Sequence, residues 1–282
     1  MPSHPPGMTP AVAAPVVLDA WGGPDHAPVL LLLHGFSDSG PCWADAIERW
    51  RQTFSVVTWD ARGHGRSPRF TADQLAVGPG ALMVADAVTA AEQLAARSGA
   101  AIGVVGHSMG GSTAAGLALA RPDLVAALVL EDPALPGLPG GPGENQAEWG
   151  AEQVRGLQQI AAEPVASLEA ARLRHPLWPS SEFDPWLQAK LDTDLGMTAN
   201  GRILNEDNAF EVARLLAVPT LVVTGTDGVI WHADAVAALR SAAGPQVRVK
   251  VLEGADHCVR RTRTEEFHAL VDPWLRERLG VR

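Results

Sequence analysis

Short apolar runs alternate with longer segments of helical spacing along most of the chain. Val29–Leu33 is a continuous apolar run, as expected of a strand buried on both faces. Ser55–Thr58 reads as the next strand and ends at Trp59-Asp60. Gly80–Ser98 has helical spacing through Leu82, Val84, Ala87, Val88, Ala91 and Leu94, and Gly99 suits its stop. Ala101–Val105 is a predicted strand, and Met109–Ala120 a helix of small residues able to pack closely on a sheet. Pro122 marks that helix's end, and Val125–Leu130 is another strand. Strands alternating with helices in this way predict an α/β fold with a mostly parallel central sheet covered on both faces.

After Asp132 the pattern changes. Pro133–Gly143 is a Pro/Gly-rich break, followed by a polar, mainly helical stretch without a strand that runs to about Ala217. Alternation resumes with strand Thr220–Thr224, a helix around Ala233–Ser241, strand Val247–Leu252 and a last helix from about Thr264 to Leu279. The expected organisation is a core domain of residues 1–132 and 218–282, with a helical insertion of residues 133–217 between two strands. No internal repeat is visible.

Composition narrows the classes of partner. The chain has 282 residues, 46% hydrophobic and 19% charged, enough for one large α/β domain or two small ones. A formal net charge of −10 argues against a nucleic-acid partner and weakens docking on anionic lipid. Arg260, Arg261 and Arg263 form a small basic cluster, but Glu265 and Glu266 follow at once, so a solvated helix start is expected there. Two cysteines, Cys42 and Cys258, are too few for a disulfide framework and are read as buried free thiols. The residues through Pro15 lack the basic start and apolar core of a signal peptide, and no apolar run has the length of a membrane span. The expectation is a cytoplasmic protein acting on a small molecule, without nucleic acid or membrane as partner; a homodimer is left open.

The candidate chemistry begins after strand Ala101–Val105, at Gly106-His107-Ser108-Met109-Gly110. This G-x-S-x-G lies between a strand and a helix, the context that gives the motif its meaning. A tight strand-to-helix turn forces its central residue into a strained conformation and pushes the side chain outward, while glycines on either side avoid backbone collisions. The following helix aims N–H groups and its positive dipole end at the same spot. An incidental serine in a Gly-rich helix start is the bland alternative, and the strand-turn-helix context favours Ser108 as a nucleophile. Strand Val29–Leu33 ends in His34-Gly35-Phe36, a loop placed to supply a backbone N–H opposite Ser108. The backbone amides of Phe36 and Met109 are the natural oxyanion donors. His34 is read as a hydrogen-bonded packing residue that holds this loop.

A serine hydroxyl needs an adjacent base. Of nine histidines, His257 stands out, because Gly254-Ala255-Asp256-His257 follows strand Val247–Leu252 at the carboxyl edge of the sheet, where α/β sites form. A third group should orient the base. Asp227, just after strand Thr220–Thr224, is ranked first on position. Asp132, after strand Val125–Leu130, is the competitor, and Asp256 is too close to the base in sequence to orient it well.

These residues resemble the α/β-hydrolase superfamily across nearly the whole chain. The matches are His34-Gly35-Phe36, Asp60-Ala61-Arg62-Gly63-His64-Gly65-Arg66-Ser67, Gly106-His107-Ser108-Met109-Gly110, Gly225-Thr226-Asp227 and Asp256-His257. The resemblance implies the α/β-hydrolase fold, the chain order Ser, Asp, His, a largely structural role for Asp60–Ser67, and an insertion that acts as a cap over the site. A serine nucleophile speaks against haloalkane dehalogenases and epoxide hydrolases, which use aspartate there, and the chain has no tyrosine to activate an epoxide. Carboxylesterase, lactonase, carbon–carbon bond hydrolase and cofactor-free perhydrolase remain, with the first two favoured by economy. The expectation is therefore a serine hydrolase cleaving a carboxylic ester or lactone through an acyl-enzyme on Ser108. Trp149, Trp178 and Trp186 in the insertion, with Trp43 and Trp231 near site loops, are candidates to wall a pocket for a hydrophobic or aromatic substrate. No metal-ligand spacing or phosphate-cradling loop is present, so no cofactor is expected. The rivals from other classes are a small-molecule receptor that retains a hydrolase triad and a non-catalytic interaction protein.

Overall fold

Strand β2 (Val29–Leu33) shows how the molecule is layered: Leu31 and Leu33 point into one apolar cluster and Leu30 and Leu32 into another, all four fully buried. A strand with both faces covered is uniformly apolar for this reason. The computed structural model describes residues 15–137 and 144–281. The other strands are β1 (Val17–Gly22), β3 (Ser55–Asp60), β4 (Ile102–His107), β5 (Val125–Glu131), β6 (Thr220–Thr224) and β7 (Val247–Val251). They form one sheet of seven strands in the order β1-β3-β2-β4-β5-β6-β7. All neighbours are parallel except β1 on β3. The strand missing from the sequence reading is β1, an edge strand whose side chains are half-buried or exposed and so lack a continuous apolar run.

The helices are α1 (Ala44–Trp50), α2 (Ala72–Val77), α3 (Pro79–Ser98), α4 (Met109–Ala120), α5 (Gln146–Ala162), α6 (Pro164–Arg174), α7 (Phe183–Leu191), α8 (Leu195–Asn200), α9 (Ala209–Leu215), α10 (Ala233–Ala242), α11 (Val259–Thr262) and α12 (Thr264–Arg278). Side chains of α3, α4, α9 and α10 pack on the face of Leu31 and Leu33. Those of α1, α11 and α12 pack on the face of Leu30 and Leu32. Between β5 and β6 the described residues contain helices and no strand. There α5 packs on α7 and α8, and Ala171, Trp178 and Phe183 form a small separate cluster. The insertion is not separate from the core: Met197 of α8, Ile203, and Ala209, Val212 and Ala213 of α9 belong to the same apolar cluster as α4 and α10.

The arginines after His257 are not solvated. Arg260 and Arg261 are buried. Arg260 Nη1 lies 2.8 Å from Glu131 Oε2, and its guanidinium stacks 3.8 Å from the centre of the Trp43 ring. Arg261 is paired with Asp38 at 3.0 Å and Glu182 at 2.7 Å. Helix α11 points both residues inward, toward carboxylates distant in sequence, and local charge pattern carries no sign of such partners. Cys42 and Cys258 are free thiols, the first buried and the second half-buried. Arg260→Leu leaves the buried Glu131 carboxylate without its ion-pair partner, so we expect a loss of about 3–5 kcal/mol in urea-unfolding free energy. A loss below about 1 kcal/mol would show that the pair contributes no more than an exposed one.

Candidate active site

At the end of β4 the chain turns into α4 through Ser108, whose φ of 51° and ψ of −116° lie outside the regions a non-glycine residue normally occupies. The flanking glycines are dictated by close approach. A Cβ on Gly106 would lie 2.4 Å from the Gly110 carbonyl oxygen, and one on Gly110 would lie 2.1 Å from the Leu33 carbonyl oxygen. The strained turn is held from the next strand, since Ser108 N donates to Glu131 O at 3.0 Å and Ala134 N donates to Ser108 O at 3.0 Å.

His257 Nε2 lies 3.0 Å from Ser108 Oγ, and its Nδ1 lies 2.6 Å from Asp132 Oδ2. The structure thus brings Ser108 and His257 together as expected, but it places Asp132 on the histidine and leaves Asp227 outside. Asp132 is fully buried, and its carboxylate also accepts from Thr224 Oγ1 at 2.6 Å and from Ile230 N at 3.0 Å. Asp227 is exposed and its carboxylate accepts from the adjacent Thr226 hydroxyl at 3.0 Å. The reason is the sheet order. β5 is the direct neighbour of β4, with Glu131 paired to His107, so the next residues on the two strands, Asp132 and Ser108, emerge side by side. Asp227 follows β6, one strand further away, and enters a turn with Gly228 at φ 61°. The usable signal was Glu131-Asp132-Pro133 at the end of the apolar run Val125–Leu130, against Thr226-Asp227-Gly228, which has the composition of a solvated turn.

Burial alone would lower the basicity of His257. The hydrogen bond and charge of Asp132, assisted by Glu131 and Asp256, outweigh it and raise the histidine above its ordinary value. A second histidine, which the sequence reading passed over, braces the first. His107 Nε2–H donates to the His257 carbonyl at 3.1 Å, and the two rings are 4.8 Å apart. Burial, followed by the charge of His257, holds His107 well below the usual histidine range and therefore neutral.

The Gly35-Phe36-Ser37-Asp38 turn closes with Asp38 N donating to Gly35 O at 3.1 Å and has Ser37 at φ 57°. A Cβ on Gly35 would lie 3.3 Å from Ser108 Cβ, so this turn rests directly against the serine. The Phe36 and Met109 N–H groups have no protein acceptor among the described residues. His34 fastens the loop: its Nδ1–H donates to Gly35 O at 2.8 Å, and its Nε2 accepts from Ala61 N at 3.0 Å. His64 is buried with its Nδ1 3.2 Å from Arg62 O.

A cavity of about 640 Å³ opens over Ser108 and His257, and Phe36, Trp149, Trp178 and Trp186 line it. Trp231 does not. It is buried in the core, where its indole N–H donates to Pro133 O at 2.8 Å. Trp43 is likewise buried, beneath Arg260. Both are near the site in sequence, but each spends its face on packing. The cavity wall also carries Asp38, Lys190 and Arg261, which no local pattern had announced. Lys190 lies over the Trp186 ring and Arg261 over the Trp178 ring. No cluster of three or more metal-ligating side chains occurs among the described residues.

Residues 24–261 match the family described as serine aminopeptidase, S33. A lipase of Mycobacterium tuberculosis, LipV, is 36% identical over 113 residues, 40% of this chain and 40% of its own. The dihydrolipoyllysine-residue acetyltransferase component of the acetoin cleaving system of Cupriavidus necator is 28% identical over 248 residues, 87% of this chain and 63% of its own. The matched region thus spans less than two thirds of each relative's length. The enol-lactonase from Burkholderia xenovorans superposes with a TM-score of 0.68 and 21% identity, covering 92% of this chain and 96% of its own, and shares the fold. The chain belongs to the family described as serine aminopeptidase, S33, and is a member of the α/β-hydrolase superfamily.

Proposed function

We propose that the protein cleaves a carboxylic ester or lactone of an apolar or aromatic small molecule through an acyl-enzyme on Ser108. The observation that carries this reading is the continuous path from Asp132 through His257 to Ser108 Oγ, which ends at the floor of an aromatic cavity. His257 Nε2 takes the hydroxyl proton as Ser108 Oγ bonds to the carbonyl carbon. The Phe36 and Met109 N–H groups receive the negative charge that develops on the carbonyl oxygen. His257 then returns the proton to the departing alcohol oxygen, and water reverses the sequence to release the acid. Asp132 keeps Nδ1 protonated, so that Nε2 is the basic nitrogen, and offsets the charge of the imidazolium. The resemblance to a lipase supports ester cleavage. Trp149, Trp178 and Trp186 support an apolar or aromatic substrate body.

Multiple turnover of p-nitrophenyl esters of graded acyl length is expected, with turnover lost in Ser108→Ala. Full turnover in that variant would refute the acyl-enzyme. Among the acids, Asp132→Asn is expected to lower kcat about 10³–10⁴-fold, because the imidazole loses its orienting partner. Asp227→Asn, a change in an exposed turn, is expected to stay within about twofold. The reverse ranking would restore Asp227 as the orienting acid.

The pH profile supplies a separate check. Only neutral His257 accepts the serine proton, and its folded value is raised, so kcat/KM should fall with acidification through a point above 6.5. In Asp132→Asn the two largest raising influences disappear while burial still lowers basicity, so that limb should move to lower pH. A limb that stays put would mean that another group titrates.

A further inference from the structure

The turn that bears Phe36 is gripped from the helical insertion. Lys190, on α7, donates through Nζ to the Ser37 carbonyl at 2.9 Å and to Asp38 Oδ1 at 3.1 Å. The other carboxylate oxygen of Asp38 accepts from Arg261 Nη2 at 3.0 Å. Arg261 in turn donates to Glu182 of the insertion at 2.7 Å and to the Cys42 carbonyl at 2.8 Å. Glu182 also accepts from Asp45 N at 3.0 Å. Asp38 and Arg261 are almost wholly buried, and the Lys190 side chain is only 12% exposed. These are charge-assisted hydrogen bonds in a site of low solvent access, where geometry is held more firmly than at a surface.

The grip falls on a strained segment. Ser37 has a positive φ without being glycine, so the turn has an inherent tendency to relax to another backbone conformation. Rotation of the peptide planes at Phe36 and Ser37 would re-aim the Phe36 N–H, which is useful to an oxyanion only when it points beside Ser108. His34 and Ala61 secure the start of the turn. Its far end is secured by Lys190, from a different layer of the molecule. We propose that Lys190 is a positioning residue that fixes the Phe36 N–H in the oxyanion hole, so that docking of the insertion onto the turn is required for acyl transfer as well as for enclosing the substrate. This assignment rests on the ester-hydrolase reading above and adds a role for the insertion that no apolar lining residue provides.

The test uses the full chain with p-nitrophenyl butyrate and two inhibitors that share an aryl group. One is an arylboronic acid, which forms a tetrahedral anionic adduct on Ser108 Oγ as His257 takes the hydroxyl proton. The other is an aryl ether with no carbonyl or boron to place in the hole. Lys190→Met is expected to lower kcat about 10- to 100-fold, somewhat less than deletion of a whole oxyanion donor, with KM within about twofold. The boronic acid should weaken by a similar factor and the ether should not, because only the former resembles the transition state. Lys190→Arg should restore most of kcat. If Lys190→Met does not fold, Lys190→Gln keeps a neutral NH2 donor and should show a smaller loss with the same selectivity between inhibitors. An unchanged kcat, or equal weakening of both inhibitors, would overturn the assignment while leaving the hydrolase reading intact. Absence of ester turnover in the unaltered protein would overturn both.

Discussion

The parallel pairing of β4 with β5 is the constraint on which the site depends. It sets Glu131 beside His107, so the next residue on each strand leaves the sheet at the same height. Those two residues are Asp132 and Ser108, both with positive φ and both tied to a neighbouring strand, Ser108 to the Glu131 carbonyl and Asp132 to the Val223 carbonyl. Strain at the two positions is sustained because adjacent strands over-determine them. A shift of register between β4 and β5 would separate acid from nucleophile and turn each strand's apolar side chains to the wrong face. The fold's strongest apolar specification and the site's geometry are therefore the same specification.

A second layer of order comes from buried charge. Glu131 with Arg260, and Asp38 with Arg261, Lys190 and Glu182, join the carboxyl ends of the strands to α11 and to the insertion. Such groups add little net stability over apolar substitutes of similar size, since desolvation of each charge offsets most of the attraction. Their effect is on geometry. Each carboxylate has specific donors, so the loops that carry Phe36 and His257 have few other arrangements in which every charge is satisfied. Arg261 and Lys190 also lie over Trp178 and Trp186, so the aromatic wall and the charged network position one another.

Much of this was legible in the sequence, and the omissions share a cause. The inner parallel strands and the helix after Ser108 announced themselves because burial on both faces leaves only apolar or small residues, while β7 at the edge shows an alternating pattern instead. The elbow was legible because a strand-to-helix turn of this tightness requires glycine at Gly106, against the Gly110 carbonyl, and at Gly110, against the end of β2. Ser108, His257, Phe36 and Met109 lie where their strand ends implied, and Trp149, Trp178 and Trp186 do line the cavity. What was missed depends on which strand lies beside which. Asp132 outranks Asp227 only once β5 is known to adjoin β4. Arg260 and Arg261 read as solvated until Glu131, Asp38 and Glu182 arrive from elsewhere in the chain. Trp231 looked available for the pocket until Pro133 O was found to accept its indole N–H. Edge strand β1 was hidden for the opposite reason, since a half-exposed strand need not be apolar.

His257 shows how these layers meet in one side chain. Burial depresses its basicity, while Asp132, Glu131 and Asp256 raise it, and the carboxylates prevail. A base raised in this way accepts a proton more readily, at the cost of being protonated over a wider acidic range. The neighbouring His107 ring has to remain neutral for this balance to hold, because a cation 4.8 Å away would oppose formation of the imidazolium. Its neutrality follows from its burial and from the charge of His257 itself. With its Nε2–H committed to the His257 carbonyl, His107 secures the backbone of the base without competing for its proton. Position and protonation state are thus determined together: the contacts that fix the imidazole in space engage Nδ1 with Asp132 and leave Nε2 facing Ser108 Oγ.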